Sequence, residues 1–414
     1  MPPGSTWAAA SIGWPSVPTA TPSRLESSTS SCAWINCLRS TSARSKSHAG
    51  TNTAVEMNDA CKISETILAS GHRAVILENS SISVTLLPEK GAEIHSLVYK
   101  PSAMDVLWKS PWGLAPRGCG AGYGGGNTEA AWMDQYAGGW QEIFPNGGDE
   151  CVYKNATLNF HGEASIQAWD YAVQRRDSSR AAVEFTLALR RSPFRIRRTV
   201  IVERNTAGLQ IRESIVNHGE EDLHYIWGHH PALGDPFLAG DCVLWVPAHT
   251  FRNHNLEISP STRISAGAIG CWPLVEGKDG RPVDLSQIPA SAEVRLTEFG
   301  YICDLEDGWY AITSSQHGFG FGLAWPRDVF PYLWFWQELR GSFGYPWYGR
   351  SRVMAVEPFS SIPGTGLANA IQAGTAPLLH AGEKVEANLA AVFYDARHGR
   401  PRSISTSGIA DFES

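Results

Sequence analysis

The chain has 414 residues, of which 43% are hydrophobic and 18% charged, a composition able to fill a large globular core. Its formal net charge of -7 argues against a nucleic-acid partner, which needs a dense basic face. No apolar run approaches the roughly 20 residues of a membrane-spanning helix, so no membrane anchor is expected.

Length alone leaves open two or three average domains or one large β unit. Residues 1–56 are dominated by Ser, Thr, Pro and Ala, as in Ser27-Ser28-Thr29-Ser30-Ser31, and have no periodic apolar positions. They read as a disordered extension. The segment is poor in acids and carries Arg24, Arg39, Arg44 and Lys46, which fits a transit peptide. It lacks an amphipathic stripe, and Met57 directly precedes the first fold-like sequence, which favours an upstream extension from a mis-called start.

From Arg73 onward the pattern is one strand after another. Ala74-Val75-Ile76-Leu77 is followed by Ile82, Val84 and Leu86 alternating with Ser81, Ser83 and Thr85, the period of a half-buried strand. Gly91 opens a further strand through Val98. The glycine-rich run 118–126 opens no helix and lacks the Lys-Ser/Thr pair of a phosphate loop, so it reads as a mobile surface loop. Residues 138–148, Gly-Gly-Trp-Gln-Glu-Ile-Phe-Pro-Asn-Gly-Gly, read as a fixed loop beside a site. Phe194–Val202 and Leu209–Asn217 flank Asn205-Thr206-Ala207-Gly208, the turn chemistry of a hairpin. Capped helical periodicity is hard to find, so the expected fold is all-β, with large packed antiparallel sheets over residues 57–398 and a flexible tail over 399–414.

Eight cysteines, at 32, 37, 61, 119, 151, 242, 271 and 303, form neither a CxxC pair nor a metal-ligand rhythm, which suits a reducing, cytoplasmic setting. The 16 Trp against 5 Met suggest flat apolar faces offered to a partly polar ligand such as a sugar ring, although most single Trp residues simply fill the core.

Three segments carry candidate chemistry: Phe160-His161-Gly162-Glu163, Trp227-Gly228-His229-His230-Pro231 and Val356-Glu357-Pro358. Two imidazoles and a carboxylate can take a proton from one oxygen while delivering another to its neighbour. With histidine near its ordinary pKa of about 6.5, neither group would need an extreme shift at neutral pH. On a strand only one of His229 and His230 can face a cleft. A lone histidine is more often a structural hydrogen-bonding group, whereas Glu357 among apolar neighbours needs a partner or a task.

Gly91-Ala92-Glu93-Ile94, Val106-Leu107-Trp108, Gly138-Gly139-Trp140 with Ile143-Phe144-Pro145, Phe160-His161-Gly162, His230-Pro231-Ala232-Leu233 and Val356-Glu357-Pro358 occur in an order that resembles the aldose 1-epimerase (galactose mutarotase-like) superfamily, over roughly residues 70 to 395. The resemblance implies a large antiparallel β-sandwich that binds a small-molecule sugar on its concave face, without metal or organic cofactor. It implies Glu357 as general base, His230 as acid and His161 as substrate holder and aid to proton transfer, in an enzyme that interconverts α and β anomers. Trp140 or Trp336 would form a wall of the site. Asn146, Asp304 and Gln337 are further candidates for binding sugar. Arg residues found in relatives that act on hexose phosphates are replaced here by Gln135-Tyr136-Ala137 and Glu163-Ala164, so an unphosphorylated aldose is expected.

The main alternative is a non-catalytic carbohydrate-binding or regulatory module on the same fold. A metal site built from His229, His230 and His161 has no supporting spacing. A glycoside hydrolase would need a second carboxylate, for which Glu142 or Asp304 is only a guess. The sugar's identity and the oligomeric state are not readable from the sequence.

Overall fold

The computed structural model describes residues 60–118, 128–239, 242–289 and 294–413. The readings made for 1–56 and for most of the glycine-rich run 118–126 lie outside them. Among the described residues, two antiparallel sheets of twelve and eight strands dominate, joined by four two-stranded pairings. The expected all-β class is what the backbone adopts. Two short α-helices, Thr128–Met133 and Leu367–Gln372, accompany the sheets. Neither is long and apolar enough to cross a membrane.

The larger sheet begins with Lys62–Ile67, Arg73–Glu78, Ile82–Leu87 and Glu93–Tyr99, so the alternation seen around residues 82–86 does form a strand. It continues through Trp140–Ile143, Gly228–Gly234, Arg352–Phe359, Tyr332–Leu339, Leu296–Leu305, Ala248–Asn253 and Ile269–Cys271. The smaller sheet contains the expected hairpin: Phe194–Glu203 pairs with Gly208–Asn217, Val202 opposite Leu209, around a turn in which Asn205 has φ 60°. Asn adopts that left-handed conformation more readily than most residues.

One apolar cluster fills the space between the sheets, with Val84, Leu86, Leu233, Leu333, Phe335 and Val356 from the larger sheet and Val200, Ile211, Phe321 and Leu389 from the smaller. Burying one such side chain stabilises the fold by about 1.5–3 kcal/mol. Every residue of Gly228–Gly234 and of Arg352–Phe359 is buried. These central strands therefore have the sandwich interior on one face and a second packed layer on the other.

Two sequence expectations need correction. Trp140–Ile143 is a sheet strand rather than part of a loop, because its backbone pairs with Gly228–Pro231. The stretch read as a flexible tail pairs as Pro401–Ile404 with Ala410–Phe412, and Ile404 packs against Trp309, Val392 and Tyr394. Ser405 and Ser407 occupy the turn between the two strands and bond each other.

Candidate active site

Strand register brings the chemical groups together. Gly228 lies opposite Phe359 and Ala232 opposite Ala355, which sets His230 opposite Glu357. Successive residues on a strand point to opposite faces. Leu233, Met354 and Val356 enter the sandwich core, so His230, Ala232, Val353, Ala355 and Glu357 face the other way. His229 faces inward with the core.

His230 and Glu357 line a cleft of about 240 Å³ together with His161, Trp132, Tyr136, Trp334, Trp336, Trp347 and His254. The His161 and His230 ring centroids are 6.0 Å apart. His230 Nε2 is 3.7 Å from Glu357 Oε1. Glu357 Oε2, His230 Nδ1 and Tyr136 Oη are buried without a hydrogen-bond partner among the described residues. Buried polar atoms are normally satisfied, so three orphans in one cleft mark it as a place for a polar ligand.

His161 reaches the cleft from a strained turn. It has φ 56° and Gly162 φ 73°, and a Cβ on Gly162 would lie 2.4 Å from the Phe144 carbonyl oxygen. Only glycine fits there. The Gly148 backbone N–H donates to His161 Nδ1 at 3.1 Å, so the neutral ring carries its hydrogen on Nε2. Trp132 packs edge-on against His161, centroids 4.7 Å apart, and the Tyr136 ring lies 5.5 Å from that of His230.

Burial among these aromatic walls favours neutral forms. Burial holds the Glu357 carboxyl well above the usual range and pushes His230 down to about 4. Burial, then the neighbouring His230, holds His161 well below the ordinary histidine value. The expectation that neither member of the acid–base pair needs a large shift is therefore corrected.

Of the other candidates, Trp336 lines the cleft. Trp140 does not: it is fully buried in the main core, and its indole N–H donates to His229 Nδ1 at 3.3 Å. Gln337 follows Trp336 on the strand and so points inward, its amide 3.4 Å from Met354 Sδ. Asn146 organises a turn, donating to the Asp149 and Asn159 carbonyls and accepting from Leu367 N. Asp304 is exposed and accepts from Thr250 Oγ1 at 2.5 Å, outside the cleft lining.

Behind the cleft, between the sheets, lies a fully buried network. Arg198 Nε bonds Glu213 Oε1 at 2.6 Å, and its Nη2 lies 2.9 Å from Glu142 Oε2. The Trp227 indole donates to Glu142 Oε1 at 2.7 Å. Because Trp140 can only donate, His229 Nδ1 is a bare acceptor and the ring hydrogen sits on Nε2, which lies 3.0 Å from Glu213 Oε2 without an aligned hydrogen bond. Burial pushes Glu142 up to about 8, with Glu213 adding to the rise, and pushes His229 down to about 3. Glu142, Glu213 and His229 are close enough to hold a cation, but the Arg198 guanidinium already engages both carboxylates. A metal ion does not fit beside it, and a site joining His229 to His230 and His161 is ruled out by their opposite faces.

Residues 69–265 match the domain of unknown function DUF4432. No curated protein matches the chain. Among solved structures, a candidate aldose 1-epimerase from Klebsiella pneumoniae superposes with TM-score 0.58 at 12% identity, covering 81% of this chain and 84% of that one. A galactose mutarotase-like protein from Clostridium acetobutylicum gives 0.56 at 15%, covering 81% and 99%. One from Lactobacillus casei gives 0.51 at 19%, covering 78% and 100%. The chain has the galactose mutarotase-like fold.

On that fold, the cleft also uses residues that the sequence did not single out: Trp132, Tyr136, Trp334, Trp347 and His254. Only Trp334 carried a usable signal. It shares strand parity with Trp336 and lies directly opposite Glu357. The others lie outside the larger sheet's strands, where no period reports orientation.

Proposed function

We propose that this cleft opens and recloses the hemiacetal ring of an unphosphorylated aldose, interconverting its α and β anomers. The observation that carries the reading is the His230–Glu357 pair, 3.7 Å apart in an aromatic cleft, each with an unpartnered polar atom. Burial raises the carboxyl and lowers the imidazole, so the pair shares one transferable proton near neutrality. One member takes the hydrogen of the anomeric hydroxyl while the other protonates the ring oxygen. The C1–O5 bond breaks and O1 becomes a carbonyl oxygen; rotation about C1–C2 and the reverse transfers close the other anomer. The protons balance without a cofactor.

His161, held neutral with its hydrogen on Nε2, donates to a sugar oxygen, and Trp336 offers a flat wall to the ring. No Lys or Arg is among the described lining residues, whereas Glu129 and Asp149 are, which favours an uncharged sugar over a phosphorylated one. The cytoplasmic setting read from the cysteines belongs to the same proposal. Polarimetry or NMR exchange on freshly dissolved single anomers tests it: accelerated equilibration of at least one free aldose is expected. Binding without acceleration would instead favour the non-catalytic module.

A further inference from the structure

His254 is the third imidazole of the cleft, and it has no part in the proton transfers above. Its backbone is fixed on both sides: its N–H donates to the Phe299 carbonyl at 3.0 Å, and its carbonyl accepts from Gly267 N at 2.9 Å. Its ring packs 5.0 Å from Phe299, which lies 5.9 Å from Trp334, and Trp334 in turn lies 6.5 Å from His161. His254 is thus separated from His161 by the Trp334 and Phe299 rings.

The tautomer of His254 follows from counting donors. Gly364 N–H donates to Tyr301 Oη at 2.8 Å, and Tyr301 Oη lies 2.7 Å from His254 Nδ1. Tyr301 is buried, and its hydroxyl hydrogen has no other acceptor among the described residues. That hydrogen therefore goes to His254 Nδ1, since the opposite assignment would leave it unsatisfied in the interior. The ring hydrogen is left on Nε2, which makes no hydrogen bond to a described residue and is the polar atom available to the cleft. Burial lowers the His254 pKa, which agrees with a neutral ring.

We infer that His254 is a substrate-recognition residue that donates its Nε2 hydrogen to an oxygen of the bound sugar, in a tautomer fixed by the relay from Gly364 through Tyr301. This rests on the proposal that the cleft takes an aldose. Together with His161 it would give the cleft two neutral imidazole donors, one relayed through a tyrosine and one held directly by a backbone N–H. A donor of this kind selects an acceptor oxygen at a fixed place without attracting anions. It sets which hydroxyl pattern is accepted rather than how fast the ring opens.

The test has two arms on the full chain. In the first, long-range proton–nitrogen correlations on 15N-labelled protein should show His254 protonated at Nε2 and bare at Nδ1, and Tyr301→Phe should release this tautomer. Protonation at Nδ1 in the wild type would overturn the relay. In the second, D-glucose, D-galactose and D-mannose are titrated by ligand-observed NMR and assayed for anomer exchange. His254→Phe should weaken binding and raise KM about tenfold or more while kcat changes little. His254→Gln, which keeps an N–H donor, should recover part of the loss, and it replaces the Phe variant if the latter fails to fold.

Equal sugar affinity in the wild type and both variants would overturn the role of His254 and leave the acid–base reading standing. Binding that depends on His254 without accelerated exchange would do the reverse. No binding of any of the three sugars by the wild type would overturn both.

Discussion

His230 and Glu357 face each other across two antiparallel strands, Nε2 to Oε1 3.7 Å, with the remaining polar atom of each unpartnered. Two groups in this arrangement can address two oxygens on one substrate carbon at once.

Glu357→Gln should reduce anomer exchange by about 10²–10⁴-fold while sugar binding is retained. Because burial already holds the carboxyl toward its neutral form, the amide is close to an isostere, and the melting temperature should change little. Polarimetry, a binding titration and a thermal melt on one preparation check all three points. Full exchange activity in the variant would remove Glu357 from the chemistry.

Adjacent histidines should behave differently. His230→Asn should lose most of the exchange rate and keep the fold, since the side chain faces the cleft. His229→Asn should lose about 1–3 kcal/mol of stability, because His229 accepts from Trp140 and packs 3.0 Å from Glu213 in a fully buried place. Urea melts and exchange rates on the two variants would be compared, and a reversed pattern would mean that the strand is set one residue out.

Stability should peak on the acid side of neutrality. His230 and His229 have folded pKa values of about 4 and about 3, below the unfolded value of about 6.5. As pH falls below 6.5 the unfolded state gains protons that the native state refuses, so stability drops. Glu142 runs the other way: with a folded pKa of about 8 it keeps its proton in the native state after the unfolded state has lost it, so stability drops as pH rises from about 4.5 through 8. Glu357, also raised, adds to that second slope. Urea midpoints at pH 4, 5.5 and 8 should be highest at 5.5, and a midpoint that climbs steadily to pH 8 would contradict these protonation states.

Trp336→Ala should weaken sugar binding about two- to tenfold, corresponding to roughly 0.5–1.5 kcal/mol of aromatic contact. Gln337→Ala should leave binding unchanged, because its side chain points into the sandwich. Calorimetric titration of both variants separates the two residues.

The strands and the Asn205 hairpin were legible because alternation and turn chemistry are local. The phase of that alternation was not. Nothing in Trp336-Gln337 or His229-His230 says which residue faces the cleft, since that depends on which side the second sheet packs. Asn146 and Asp304 were misread for a related reason: a polar side chain near a suspected site looks the same in sequence whether it meets a ligand or fastens its own turn. His254 and Trp132 reach the cleft from segments distant along the chain, and only tertiary structure could bring them into view.

The buried Arg198 network gives the His230 strand a reading frame. A strand with two adjacent histidines has two settings, one residue apart, that exchange its faces. In the setting that would carry His229 to the cleft, Gly228 takes the inward place and no imidazole reaches Glu213 and Trp140. The Trp140 indole N–H would then lose its acceptor in the interior, which is costly. The choice of His230 over His229 for the cleft is therefore set from behind the strand, by Glu213 of the smaller sheet and Trp140 of the larger. Side chains on the cleft face can then be exchanged while the groups that set the strand's frame, on its inward face, stay in place.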